Sequence, residues 1–229
     1  MKERTIAIGD IHGYDAALRA LLDKICPTQR DTIVTLGDYV DRGPGSREVI
    51  ETLIDLEDQA HLVSILGNHD EMMLSIWQGQ HELFDDWLRY GGAATLASYG
   101  VTTLEGVPED HIRFLQRCCV FFETHDFLFL HANYHETTPL SEQDSFTLRW
   151  ESLRLRLPGP HISGKRAIVG HTAQRNFEIL DVGYLICIDT CCYGGGWLTA
   201  LDVESGHIWQ ADAEGRTREH VLHSIRNSQ

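Results

Sequence analysis

Residues 32–43 read TIVTLGDYVDRG, an apolar run of β-forming residues that breaks off at glycine and continues into carboxylates. The same order occurs twice more, because Thr5–Ile8 runs into Gly9-Asp10 and Leu62–Leu66 runs into Gly67-Asn68. In open α/β sheets, ligands gather beyond the carboxyl ends of the strands, where glycine lets the backbone turn sharply. The three stretches therefore predict neighbouring strands with polar residues at a common edge.

Helical patterns separate these strands. Apolar residues recur at helical spacing in Tyr14–Ile25 and Ser46–Asp58, so the order is strand–helix–strand. This alternation indicates βαβ units, right-handed crossovers and a parallel sheet. A helical region is expected from Asp70 to Cys118, and further strands are expected at Phe127–Leu130, Ala167–Val169, Phe177–Leu180, Tyr184–Ile188, Leu198–Val203 and His207–Gln210.

The composition fits a single α/β domain spanning residues 1–229, with 42% hydrophobic and 23% charged residues. The first residues lack a signal-peptide pattern and no apolar run could span a bilayer, so we expect a cytoplasmic protein without a membrane partner. A formal net charge of −15 disfavours nucleic acid as a partner. The 6 cysteines form no C-x-x-C pair, which indicates reduced thiols rather than a zinc site or a disulfide framework.

Two later strand ends also carry residues that can bind metal. His131 directly follows an apolar run, and His171 follows another through Gly170. Asp10 and His12 lie two residues apart in an extended segment, so both can point towards one cation. Asp38 has two carboxylate oxygens and can bridge two cations. Five strand ends could thus deliver metal ligands to one point.

Three neighbouring residues suit phosphate chemistry. The carbonyl oxygen of the Asn68 side chain can bind metal, while the adjacent His69 remains free for proton transfer. Arg42 presents a planar fork of donors that matches phosphate oxygens. Together with the carboxylates and histidines, these residues predict a two-metal phosphoesterase.

The motifs GDIHG at residues 9–13, GDYVDRG at 37–43 and GNHD at 67–70 resemble those of the calcineurin-like metallophosphoesterase superfamily. The similarity continues at residues 131–133, 170–172 and 188–190. GDYVDRG is similar to the phosphoprotein phosphatase branch, in particular to bacterial and phage serine/threonine protein phosphatases. The resemblance implies a four-layer α/β/β/α sandwich of two mixed β-sheets flanked by helices, with the metal site at the strand C-terminal ends.

The resemblance also implies roles for individual residues. His69 would protonate the leaving group, Asp41 would orient His69, and Arg42 would bind the substrate phosphate. Two divalent metal ions would share Asp38 as a bridge, and a hydroxide between them would attack phosphorus. The oxygen and nitrogen ligands favour Mn²⁺, with Fe or Zn as alternatives. The implied metal ligands are Asp10, His12, Asp38, Asn68, His131 and His171.

The sequence departs from this family in places. Protein phosphatases often carry arginine before GNHD, whereas position 66 here is leucine, and symmetrical dinucleotide tetraphosphatases tend to carry an aliphatic residue there. The arginine of the W-x-R segment of bacterial relatives is missing, and Arg149 or Arg154 could replace it in substrate binding or could lie on a solvated helix face. Tyr193 lies either in a hairpin loop or at a rim that contacts substrate. Residues 87–92, WLRYGG, resemble a W-L-x-N-G-G segment and could pack in the core or cap the site.

Three functions remain open at this stage. The first is metal-dependent hydrolysis of phosphate monoesters by a protein serine/threonine phosphatase, with a phosphoprotein or a small phosphoester as partner. The second, motivated by Leu66, is a nucleotide pyrophosphohydrolase of the diadenosine tetraphosphatase type. The third is a catalytically silent metal-binding protein, against which the full ligand set and His69 argue.

Overall fold

Two β-sheets pack face to face in the computed structural model, which describes residues 3–222. The strands are β1 (Thr5–Ile8), β2 (Thr32–Thr35), β3 (His61–Ser64), β4 (Phe121–Glu123), β5 (Phe127–Leu130), β6 (Arg166–Val169), β7 (Leu180–Asp181), β8 (Leu185–Cys187), β9 (Leu198–Asp202), β10 (His207–Ala211) and β11 (Thr217–Val221). The helices are α1 (Asp15–Ile25), α2 (Ser46–Leu56), α3 (Asn68–Trp77), α4 (Phe84–Trp87), α5 (Ala93–Tyr99), α6 (Glu109–Arg117) and α7 (Ser145–Trp150), and Leu88–Gly92 joins α4 to α5 through a kink at Gly91.

Parallel strands form the centre of both sheets. The first sheet has the order β11-β10-β9-β1-β2-β3, in which β1, β2 and β3 are parallel as the βαβ pattern predicted. The second has the order β4-β5-β6-β8-β7, in which β5, β6 and β8 are parallel. Antiparallel hairpins complete each sheet and make it mixed. In the first sheet Ile8 pairs with Thr35, which pairs with Ser64, so the three strand ends are level.

Alternating side chains divide the core into layers. Between the sheets lie Ala7 and Val34 from the first sheet and Phe129, Ile168 and Ile186 from the second, all fully buried. The other face of the first sheet packs against the helices of the N-terminal half. The outer face of the second sheet packs against α7 and its adjoining loops. The predicted sandwich of two mixed sheets flanked by helices is confirmed.

Some sequence predictions of strands were wrong. The run predicted at Phe177–Leu180 pairs only through Leu180 and Asp181, because Phe177 has a φ of 64° and cannot continue a strand. Strands β4 and β11 were not predicted. Across residues 3–222, the structure contains no helix with the length and apolar character needed to cross a membrane.

Candidate metal and active site

The predicted ligand residues come together where the central strands end. Asp38 contributes to two groups of side chains, one with His12 and His69 and one with His131 and His171, and within each group the ligand atoms lie within 4.8 Å of one another. The loops after β1, β2, β5 and β6 and the start of α3 supply these residues. The two groups share one carboxylate, which is the arrangement that a bridged pair of cations requires.

Each histidine of the predicted ligand set is oriented by a backbone carbonyl. The Nδ1 atoms of His12 and His131 lie 3.0 Å from the Val40 oxygen and 2.7 Å from the Leu36 oxygen. The Nε2 atom of His171 lies 3.0 Å from the Trp150 oxygen. A carbonyl can only accept, so each ring donates one N–H and keeps a lone pair on its other nitrogen. This is how proteins prepare histidine to bind metal.

Electrostatics keep these rings neutral and the bridging carboxylate charged. Burial lowers the pKa of His12 and of His131, and lowers the pKa of His171 to about 4. Burial alone would favour protonated Asp38, but positive charge on His131, His69, His12 and Arg42 would hold its pKa well below its usual value, and Arg42 and His69, whose own pKa is raised, are the groups that carry this charge. Neutral imidazole and ionised carboxylate are the forms that bind divalent cations.

The lone pairs converge in a way that fits cations. Asp38 places Oδ2 3.3 Å from His12 Nε2 and Oδ1 3.5 Å from His131 Nε2. The Asn68 Oδ1 atom lies 3.0 Å from His131 Nε2 and 2.9 Å from His171 Nδ1. Oxygen and imidazole nitrogen without thiolate suit Mn²⁺, Fe²⁺ or Zn²⁺. The chemistry of this donor set therefore fits two divalent ions.

Asp10 lies at the edge of this group. Its carboxylate accepts the backbone N–H of His171 at 3.1 and 3.0 Å. The sequence analysis assigned no role to Asp189, which is buried beside Asp10 and accepts the backbone N–H of Cys191 at 3.0 Å. Burial, then the charges of Asp189 and Asp38, raise the pKa of Asp10. Burial likewise raises the pKa of Asp189 to about 6. The only sequence signal for Asp189 was the motif at residues 188–190.

His69 and Asp41 form a buried pair. The Nδ1 atom of His69 lies 2.7 Å from Asp41 Oδ2, with side chains that are 6% and 0% exposed. Burial opposes protonation of His69, but the charges of Asp38 and Asp41 outweigh burial and raise its pKa. Burial also raises the pKa of Asp41, and the bond to His69 opposes that rise. A histidine held by a carboxylate in this way is suited to proton transfer.

Arg42 reaches into the same region. Its Nη2 donates to His69 Nε2 at 2.9 Å and its Nη1 donates to His12 Nε2 at 2.5 Å. Its guanidinium lies 4.1 Å from the centre of the Tyr193 ring, which packs edge-on against His12. The structure thus places Arg42 beside the candidate metal ligands, and of the two positions considered for Tyr193 it shows the one at the rim of this region.

The two other predicted substrate-binding arginines have different surroundings. Arg149 is 7% exposed, and its guanidinium pairs with the carboxylate of Glu71. The Trp150 indole donates to the same carboxylate at 2.6 Å. Arg154 is exposed and donates to the carbonyl of Ala173, two residues beyond the predicted ligand at position 171. Arg149 is therefore committed to an internal ion pair, whereas Arg154 lies near the rim of the site.

The chain is similar in sequence to known phosphoesterases. The family model described as calcineurin-like phosphoesterase matches residues 3–175. Symmetrical bis(5'-nucleosyl)-tetraphosphatases of Klebsiella pneumoniae and Paracidovorax citrulli are 43% identical over 76 residues and 47% identical over 73 residues. These matches cover 33% and 31% of this chain, and only 26% and 25% of the relatives, or about a quarter of their length.

Solved structures resemble the chain over most of its length. A protein assigned as a diadenosine tetraphosphatase has a TM-score of 0.63 at 22% identity, covering 95% of this chain and 93% of its own. A cold-active protein tyrosine phosphatase has a TM-score of 0.70 at 17% identity, covering 98% of this chain and 80% of its own. A serine/threonine phosphatase of Saccharomyces cerevisiae has a TM-score of 0.56 at 16% identity, covering 88% and 73%. At these identities the likeness concerns the fold.

Proposed function

The chain belongs to the calcineurin-like phosphoesterase family, and from this premise we propose that it is a metal-dependent hydrolase that cleaves dinucleoside tetraphosphates symmetrically. The observation that carries the substrate class is the stretch of about a third of the chain that is 43–47% identical to symmetrical tetraphosphatases. Leu66 agrees with this class, since an aliphatic residue stands where protein phosphatases often have arginine. Symmetrical cleavage of the tetraphosphate would give two nucleoside diphosphates.

Two divalent ions would complete the site, with Mn²⁺ as the proposed ion and Fe or Zn as alternatives. When bound, such a pair supplies charge that stabilises the developing negative charge on phosphate and lowers the pKa of water towards neutrality. Asp38 would contribute to both positions. The first ion would be held by Asp10, His12 and Asp38, and the second by Asp38, Asn68, His131 and His171.

The remaining residues would handle the phosphate and the proton. Arg42 would leave the Nε2 atoms of His12 and His69, to which it donates in this structure, and would donate its forked N–H groups to the phosphate oxygens. Tyr193, which lies against the Arg42 guanidinium, would hold that group in place and contact substrate. His69 Nε2, which accepts from Arg42 in this structure, would take up a proton once Arg42 turns to the phosphate and would give that proton to the departing oxygen, while Asp41 holds Nδ1. Arg154, at the rim, would contact the parts of the substrate that lie furthest from the candidate metal ligands.

The test is product analysis on a dinucleoside tetraphosphate. Purified protein with Mn²⁺ should convert diadenosine tetraphosphate into ADP alone, as separated by anion-exchange chromatography. Asp38→Asn, which changes the shared carboxylate, should abolish the reaction. Release of AMP and ATP would contradict symmetrical cleavage, and an intact tetraphosphate beside a hydrolysed phosphopeptide would move the assignment to the second candidate.

The second candidate is a protein serine/threonine phosphatase. The buried pair of His69 and Asp41 favours it, because a serine or threonine alkoxide is a poor leaving group that needs a proton, whereas a nucleoside diphosphate needs less help. The GDYVDRG motif at residues 37–43 points the same way. A phosphoserine peptide assayed beside the tetraphosphate at equal enzyme and Mn²⁺ concentrations separates the two by their kcat/KM values.

A further inference from the structure

Both oxygens of the Asp41 carboxylate are occupied by donors. Oδ2 accepts the Nδ1–H of His69 at 2.7 Å. Oδ1 accepts two bonds, from the indole Nε1–H of Trp87 at 3.0 Å and from the hydroxyl of Thr95 at 2.7 Å. Asp41, Trp87 and Thr95 all have 0% exposure, so water does not compete for these bonds. The carboxylate is therefore fixed in rotation.

The donors come from two short helices, joined by a kink, that are distant in sequence from Asp41. Trp87 ends α4 and Thr95 lies in α5, 46 and 54 residues from Asp41. The kink between them also contacts the residue after Asp41, since the Gly91 carbonyl accepts the backbone N–H of Arg42 at 3.2 Å. Asp41 and Arg42 have φ values of 73° and 71°, a strained region for residues with side chains. The segment thus supports a strained turn that carries two of the predicted catalytic residues.

We propose that Trp87 and Thr95 are positioning residues for leaving-group protonation, because they hold Asp41 where it keeps a proton on His69 Nδ1 and directs His69 Nε2 to the departing oxygen. The inference rests on the proposed metal-dependent phosphoester hydrolysis. A carboxylate held at only one oxygen can rotate, and the ring bonded to it then loses its orientation. Neutral donors at Oδ1 prevent this without adding a competing charge.

The step they support is proton transfer. The bond between phosphorus and the leaving oxygen breaks, and its electron pair stays on that oxygen, which takes the proton from His69 Nε2. The oxygen of water forms the new bond to phosphorus, and a proton that this water releases restores His69. The more basic the leaving group is, the more the rate of hydrolysis depends on this proton transfer. Loss of positioning should therefore affect esters of basic alcohols more than esters of acidic ones.

The experiment measures kcat for a series of substituted phenyl phosphates that spans leaving-group pKa. Trp87→Phe removes the N–H and keeps an aromatic ring, and Thr95→Val removes the hydroxyl at nearly constant volume. Each should reduce kcat about 10-fold for phenyl phosphate and less than about 3-fold for 4-nitrophenyl phosphate, at unchanged KM, so that the plot of log kcat against leaving-group pKa steepens. Thr95→Ser, which restores the hydroxyl, should recover the wild-type slope.

Two controls separate positioning from damage to the fold. Trp77→Phe changes a tryptophan that is 40% exposed at the far end of α3 and should leave the slope unchanged. In a His69→Asn background, Trp87→Phe should add no further change in slope, because its effect passes through His69. Equal losses of kcat across the series, or a further loss in the His69→Asn background, would overturn the inference and leave the proposed function standing. A wild-type protein that cleaves a dinucleoside tetraphosphate in Mn²⁺ but hydrolyses none of this series would overturn the inference alone, and one that hydrolyses neither would overturn both.

Discussion

At the level of single residues, the site depends on how closely the backbone of one loop approaches a side chain of another. Gly67 has ordinary extended dihedrals, φ −86° and ψ 170°, so its role is not conformational freedom. A Cβ at this position would lie 2.2 Å from Asp38 Oδ1 and 2.3 Å from the Asp38 nitrogen. Glycine is required here because the shared carboxylate lies against it.

We therefore expect Gly67→Ala to displace Asp38 and to lower Mn²⁺ affinity by about 10-fold or more, as loss of a ligand's support does in other metal sites. Titration calorimetry with Mn²⁺ and metal analysis of the purified protein measure this. Gly159→Ala is the matched control, because a Cβ there has no neighbour closer than 3.8 Å. Equal Mn²⁺ affinity in the wild type and Gly67→Ala would show that Asp38 tolerates the displacement.

The candidate site residues at strand ends could be predicted from the sequence, but the long-range contacts that hold them in place could not. Asp38 and His131 could be assigned because a glycine or a strand end marks each of them locally. Trp87 contacts Asp41 across 46 residues, and no spacing in the sequence shows that contact. The ion pair of Arg149 with Glu71 could not be predicted for the same reason, since these residues lie 78 positions apart in the sequence.

At the level of elements, one carboxylate joins the loop after β2 to the start of α3. Asp70, in the first turn of α3, accepts the backbone N–H groups of Asp38 at 2.8 Å and Tyr39 at 2.9 Å. It also accepts those of Val40 at 3.3 Å and Gly67 at 3.0 Å. This holds two segments that carry predicted metal ligands in a fixed relation.

Asp70→Asn should separate these segments. An amide offers one acceptor oxygen and turns an N–H₂ group towards backbone donors, so buried N–H groups lose their partners at a cost of about 2–4 kcal/mol. Urea denaturation should show this loss in the free energy of unfolding, and metal analysis should show reduced Mn²⁺ content. Asp85→Asn, on the exposed first turn of α4, should change neither quantity. Normal stability in Asp70→Asn would argue against this link.

Strands with an apolar pattern were predictable, and strands defined only by a partner were not. The bounds of β1 and β5 agree with the sequence predictions because their buried residues follow one another without a break. Strand β11 reads Thr-Arg-Glu-His-Val and is largely exposed, so only its pairing with β10 defines it. A polar edge strand of this kind leaves no hydrophobic pattern to recognise.

At the level of the whole molecule, the two ends of the central strands have different functions. The carboxyl ends carry the candidate site, whereas at the opposite edge Arg4, just before β1, forms an ion pair with Asp31, just before β2. Arg4 donates to Asp31 at 2.9 and 2.7 Å and also to the Ile25 carbonyl, while Asp31 accepts the backbone N–H of Thr28 at 2.8 Å. The stability of the fold can thus be tested at an edge remote from the ligands.

Because of Asp31, the free energy of unfolding should depend on pH in the acidic range. Its bond to Arg4, against an opposing effect of burial, lowers the pKa of Asp31 to about 2, below the value of about 3.9 in an unfolded chain. The stabilisation is therefore complete above about pH 4 and is lost as the pH falls towards about 2. In EDTA, so that metal release plays no part, Asp31→Asn should cost about 2 kcal/mol of unfolding free energy at pH 7, and the difference from the wild type should shrink towards pH 2.

The control is Asp86→Asn, which breaks an exposed pair with Arg89 and should change the unfolding free energy little at any of these pH values. If the difference in unfolding free energy between the wild type and Asp31→Asn stays constant from pH 7 to pH 2, the charge of Asp31 does not stabilise this edge. A stabilising ion pair with Arg4 would disappear when the Asp31 carboxylate is protonated.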